Sequence, residues 1–173
     1  MIIIKYIFLF CIFAGSSITG ILLANKYKSR IQELKSFKEM MNILENKIKF
    51  TYEPLGNIFD DITKLYSNKN QVCKIFEQTK INMEKNDVCF SWKKAIDKSK
   101  QNMCLNQEDI NIIKGLGKQL GKTDVEGQVS EIALTNEFLD IQIKDAEEQC
   151  KKNEKMYKTL GTIIGIAIVI ILI

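Results

Sequence analysis

No histidine occurs in the 173 residues, which removes Ser-His and Cys-His nucleophile chemistry and the usual histidine metal sites. The five cysteines (Cys11, Cys73, Cys89, Cys104, Cys150) are odd in number and far from any CxxC or zinc spacing. Their pattern predicts buried free thiols in a reducing compartment rather than a disulfide framework. Glu45 and Glu53 are the nearest approach to paired catalytic carboxylates, but eight residues and Pro54 disturb any shared face. With no glycine-rich phosphate loop and no nucleophile motif, the chain reads as a non-enzyme with no cofactor, no metal and no small-molecule substrate.

What remains chemically active is charge. Lys114, Lys118 and Lys122 recur at i, i+4 and i+8, which on a continuous helix makes one basic stripe. Asp124 and Gln128 lie just beyond it, and Gly117 and Gly121 punctuate the same stretch. The five polar residues are candidate partner-binding residues, and the three lysines offer an electrostatic handle to an acidic partner. The same positions also have plain structural uses: Gly117 for close packing, Gly121 to end a helix, Asp124 to cap the next one. Trp92 reads as a core anchor.

The elements that would position these residues are helical. Ile31, Leu34, Phe37, Met41, Leu44 and Ile48 give steps of three and four, a helix running from the first apolar stretch to about Phe50. Pro54, the single proline, fits the first position of a second helix with Leu55, Ile58, Phe59, Ile62, Leu65 and Tyr66 inward. A polar turn at residues 67–70 precedes a third helix over 71–85, and a fourth carries Trp92, Ala95 and Ile96 to about Lys100. Asn106, three residues before Asp109, resembles a capping box for a fifth helix over 107–120, with Gly121 as its left-handed terminus. Asp124 caps a last helix whose inner face runs Val129, Ile132, Ala133, Asn136, Leu139, Ile143, Ala146 and Cys150, its other side being charged. The fold class is all-α: a six-helix bundle over residues 26–155.

Two apolar stretches flank the bundle. Residues 6–24 carry no charge and span about 28 Å as a helix, close to the roughly 30 Å of a bilayer core. Lys26, Lys28 and Arg30 follow at once, and Leu22 occupies the position where a signal-peptidase site needs a small residue. An uncleaved anchor over residues 1–25 is expected, its N-terminus outside. At the other end Lys144, Lys151, Lys152, Lys155 and Lys158 crowd the near side of a second apolar run, residues 156–173, of about 27 Å if Lys158 snorkels. Both charge patterns put the bundle in the cytoplasm between two antiparallel spans in a lipid bilayer. The net charge of +4 rests on lysine, Arg30 being the one arginine, which fits a basic membrane-facing rim and argues against nucleic acid as a partner.

The order of these pieces is informative. It runs from the N-terminal anchor through Leu44-Glu45-Asn46-Lys47-Ile48-Lys49-Phe50-Thr51-Tyr52-Glu53-Pro54-Leu55 to the Trp92 helix. Leu116-Gly117-Lys118-Gln119-Leu120-Gly121-Lys122-Thr123-Asp124 with Gln128 follows, and Tyr157-Lys158-Thr159-Leu160-Gly161 opens the last span. This resembles the stage III sporulation protein AB family over essentially the full length. Phe50 stands where an aromatic is usual, and the departures are modest, with Lys49 and Glu53 at loosely patterned positions.

The resemblance implies a membrane platform subunit of the channel complex between mother cell and forespore. Its soluble domain would be similar to the platform domains of type II secretion and type IV pilus systems. The implied partners are a companion secretion-type ATPase, stage III sporulation protein AA, and other membrane subunits of the channel. The implied location is the outer forespore membrane, on the mother-cell side. A rival expectation is a two-span sensor or adaptor whose bundle binds a ligand or signalling partner, which would need a cavity with convergent polar groups.

Overall fold

Why the chain folds as helices is visible at their ends. Asn106 accepts the Asp109 N–H at 2.8 Å while Asp109 accepts the Asn106 N–H at 2.9 Å, a closed capping box. Asp87 caps the preceding helix by accepting the Phe90 N–H, and Asp124 does the same for the Gly127 N–H at 2.9 Å. The computed structural model describes residues 2–66 and 71–172; the turn expected at 67–70 lies outside them. Six α-helices and one 3-10 turn make up the secondary structure of the described residues. They are α1 (Ile2–Thr51), α2 (Leu55–Tyr66), α3 (Gln71–Met83), α4 (Val88–Ser99), the 3-10 turn (Lys100–Asn102), α5 (Gln107–Leu116) and α6 (Val125–Leu172). The all-α class and the count of six agree with the periodicity.

Contacts divide the chain into two units: Met1–Ser29 with Asp145–Ile173, and Arg30–Lys144. The long helices α1 and α6 contribute residues to both.

In the unit Arg30–Lys144 the core is built on four rings from four successive helices. Phe37 of α1, Phe59 of α2, Phe76 of α3 and Trp92 of α4 are fully buried, with centroids 5.5–6.1 Å apart. Edge-to-face and offset pairs at such distances add to the burial itself. Trp92 Nε1–H donates to the Ile113 carbonyl at 2.8 Å, which ties α5 to the cluster. Leu34, Met40, Met41 and Leu44 of α1 and Ile132, Leu139 and Ile143 of α6 complete the interior. Paired carboxylates fasten α2: Asp61 to Lys47 of α1 at 2.6 Å, and Asp60 to Lys80 of α3.

Several expected details change. Leu65 is exposed, because Ile58, Phe59 and Ile62 already fill the turns of α2 that reach the ring cluster. Ala133 is exposed too: the inner arc of α6 passes through Thr135 and Gln142 instead. α5 stops at Leu116 rather than 120. Gly115 and Gly117 weaken the helix there, and residues 117–122 form turns closed by Lys118 N–H to Gly115 O and Lys122 N–H to Gln119 O. α2 begins one residue later than expected, with the Pro54 carbonyl accepting from Asn57 and Ile58. All five cysteines are free, but only Cys73 and Cys150 are buried.

In the other unit the ends of α1 and α6 run antiparallel, with Phe13 beside Gly165, Ser16 beside Gly161 and Gly20 beside Tyr157. Among the described residues one helix, α1 from Ile7, is long and apolar enough to cross a membrane, its most apolar stretch having a mean hydropathy of 2.3. The second span expected at residues 156–173 is not matched by such a helix among the described residues.

Candidate functional site

Two places concentrate polar chemistry in the unit Arg30–Lys144. The first joins α1, α5 and α6. Arg30 is 5 % exposed and Asp109 fully buried. Arg30 Nε donates to Asp109 Oδ2 at 2.8 Å, and Nη2 donates to Asp109 Oδ1 and to Gln142 Oε1, both at 3.0 Å. Planar guanidinium geometry suits this fork; an ammonium cannot reproduce it. Glu33, one turn further along α1, accepts the Cys104 N–H at 2.8 Å, and burial pushes its carboxyl above the ordinary value. Thus the single arginine is a buried structural residue and not part of a membrane-facing rim. Nothing in its local sequence signalled this.

The second place is the turn between α5 and α6, where the sequence put its partner-binding candidates. Gly121 has φ +72°, the left-handed conformation expected of it. Gln128 grips the turn from both sides: Oε1 accepts the Gly121 N–H at 3.1 Å and Nε2 donates to the Thr123 carbonyl at 3.0 Å. Asp124 is occupied as the α6 cap. Asp124 and Gln128 therefore hold the turn in shape.

The three lysines do not share one helix, because α5 ends before Lys118. Lys114 is half-buried and binds Asp97 of α4 at 2.7 Å, as does Lys100. The two cations, Lys100 first, hold the Asp97 carboxyl below its ordinary value. Lys118 and Lys122 are exposed on the turn. The structure brings together Gly121, Asp124 and Gln128 and leaves Lys114 facing α4.

In the unit formed by the chain ends the contact is backbone against backbone. A Cβ built on Gly161 would lie 2.9 Å from Gly20 Cα, and one on Gly20 would lie 2.7 Å from the Tyr157 carbonyl oxygen. Ser16 Oγ–H donates to the Gly161 carbonyl at 2.7 Å. Ser16 and Gly20 are four apart on α1, as are Gly161 and Gly165 on α6, the small-xxx-small spacing of close helix pairs in membranes. That spacing is visible in the sequence alone. Beside it lies an apolar groove of about 420 Å³ lined by Thr19, Leu23, Leu160 and Ile164 among others. At the polar end Tyr27 stacks on Tyr157 at 5.8 Å, and Glu154 sits between Lys158 at 2.6 Å and Lys28 at 2.9 Å. Those lysines, Lys158 foremost, pull the Glu154 carboxyl down to about 2.

No group of three or more potential metal ligands forms among the described residues. A polar cavity of about 200 Å³ between α3, α4 and the 3-10 turn is lined by Gln71, Lys74, Glu77, Gln78, Lys98 and Asn102. Its two lysines and the Glu77 carboxylate are spread along α3 and α4 without a focus.

Fold and site together define an all-helical protein with a polar-pinned bundle and an apolar helix that suggests membrane association. A model of stage III sporulation protein AB matches residues 5–173, and the chain belongs to that family. Stage III sporulation protein AB of Bacillus subtilis (strain 168) is 26 % identical over 156 residues, covering 89 % of this chain and 90 % of the relative. A solved structure of stage III sporulation protein AB is similar in fold, with a TM-score of 0.64 and 20 % identity over 70 % of this chain and 96 % of that one. The family gives the chain a role in sporulation.

Proposed function

We propose that the protein is a two-span membrane platform of the mother cell–forespore channel complex, holding its helical bundle in the cytoplasm as a dock for a companion secretion-type ATPase. The observation that carries the reading is the antiparallel contact of the chain ends at Gly20 and Gly161. Small residues at that crossing let two apolar helices approach as paired spans do in lipid, where close packing replaces the hydrophobic effect as the source of association. Family membership supplies the sporulation setting.

On this reading the chain performs no chemistry. It organises, and α1 and α6, each shared by both units, carry the ATPase's motion to the membrane. Lys118 and Lys122, exposed beside a turn that Gln128 and Asp124 hold in shape, are the electrostatic handle for the ATPase.

A reporter active only in the cytoplasm, fused after Asn86, should be active, and one fused after Ile173 inactive; the reverse would overturn the topology. Full-length protein in nanodiscs should retain the purified companion ATPase, and K118E/K122E should weaken retention. Failure of the wild-type protein to bind would remove the ATPase from the proposal.

A further inference from the structure

The outer face of α6 carries an apolar stripe that the bundle leaves uncovered. Leu134, Phe138 and Ile141 are 44 %, 45 % and 59 % exposed. Their spacing of i, i+4 and i+7 stacks them along one side of the helix. The inner side is fully occupied by Ile132, Thr135, Leu139, Gln142 and Ile143, so these three have no role in the core. Single exposed apolar residues are ordinary; three in helical register form the anchor pattern by which amphipathic helices recognise one another.

The charge around the stripe is one-sided. From Val125 to Ile143 there is no lysine or arginine, although the whole protein carries a net charge of +4. Four acids lie in that stretch. Asp140 is tied to Lys38 at 2.5 Å. By helical angle Glu137 borders the stripe on one side and Glu131 on the other, with Glu126 a few turns towards the N-terminus. Glu126 and Glu137 are exposed and Glu131 is half-buried.

We infer that this face of α6 docks an amphipathic helix of a partner protein, with apolar residues along its centre and lysine or arginine along its rims. The acidic borders repel an anionic bilayer surface, which would want cations around the apolar residues. They also oppose pairing with the same face of a second copy, since a two-fold contact would bring two acid-bordered faces together. A basic rim meets them favourably and fixes the register of the two helices. The surface lies on α6, apart from the turn carrying Lys118 and Lys122, and does not depend on the ATPase being the partner.

The test places a photo-reactive side chain, Phe138→p-benzoylphenylalanine, in the full-length protein and irradiates sporulating cells. Sequenced adducts should fall in one helix of one protein, with apolar residues at i, i+3 or i+4 and i+7 and basic residues beside them. E131K/E137K should lower the adduct yield about tenfold by like-charge repulsion, and changing the partner's flanking cations to glutamate should restore it. Trp92 fluorescence, read on the purified E131K/E137K protein, separates a changed surface from a lost fold. Adducts to a second copy, to lipid or to an acidic segment would overturn the inference. So would an absence of adducts, or a yield indifferent to the charge reversal in a folded protein.

Discussion

Arg30 and Asp109, 79 residues apart in sequence, meet through two hydrogen bonds of 2.8 and 3.0 Å in the interior of the bundle. The pair costs desolvation, and Gln142 and the Asn106 N–H offset part of that by satisfying further donors and acceptors. Removing one partner strands the other charge. Arg30→Ala or Asp109→Ala should therefore lower stability by about 3–5 kcal/mol, measured by denaturant unfolding in detergent. Arg30→Lys should recover only part of the loss, since one ammonium cannot fill both carboxylate oxygens and Gln142.

Gly117 is required for a different reason. Its φ of −61° would suit any residue, so the constraint is space alone. A Cβ there would stand 2.5 Å from Trp92 Cδ1, and Trp92 cannot swing aside without giving up its bond to the Ile113 carbonyl. Gly117→Ala should destabilise the bundle by about 1–3 kcal/mol and shift the emission of the single tryptophan. An unchanged spectrum and midpoint would mean that the ring relocates freely.

At the crossing of the chain ends, Gly161→Leu and Gly20→Val should force the helices apart by their Cβ atoms alone. The expected cost is again about 1–3 kcal/mol, read as easier separation of the two helices in mixed detergent. Ser16→Ala should have a smaller effect, near the roughly 0.6 kcal/mol average for a hydrogen bond in a membrane protein.

Glu154 sets a pH response. Its carboxyl is held at about 2 in the folded protein against an ordinary 4.5, by Lys158 and then Lys28. Between those values the unfolded chain binds more protons, so the contribution is complete above the ordinary value and is lost as pH falls towards 2. Exposure and salt keep it small. Stability measured from pH 5 down to pH 2 should fall less steeply in Glu154→Gln, and added salt should narrow the difference.

What could be read from the sequence was local. The stripe Leu34, Phe37, Met41, Leu44, Ile48, the Asn106–Asp109 box, the Asp124 cap and the left-handed Gly121 each depend on neighbours within a turn or two, and each is present. Relationships across the fold were not legible. The Arg30–Asp109–Gln142 cluster needs three helices in place before its set of bonds is complete. Lys114, Lys118 and Lys122 looked like one stripe only while α5 was assumed to run past Gly117. The sequence makes the outer side of α6 charged; its glutamates are there, but they border Leu134, Phe138 and Ile141 instead of replacing them.

The four-ring core has a consequence for the order in which the protein assembles. Phe37, Phe59, Phe76 and Trp92 come from consecutive helices, and the Trp92–Ile113 bond spans only 21 residues. The contacts that bring in α6 close much longer loops: 112 residues for Arg30–Gln142, 102 for Lys38–Asp140 and 94 for Asn42–Asn136. Short loops close at less entropic cost, so α1 to α5 can collapse on the ribosome while the last helix is still being made. Until it arrives, Arg30 and Asp109 have each other but lack Gln142, and Leu34 to Leu44 lack part of their cover. The nascent bundle is thus short of one helix, which leaves a window for chaperones or membrane partners before α6 seals it.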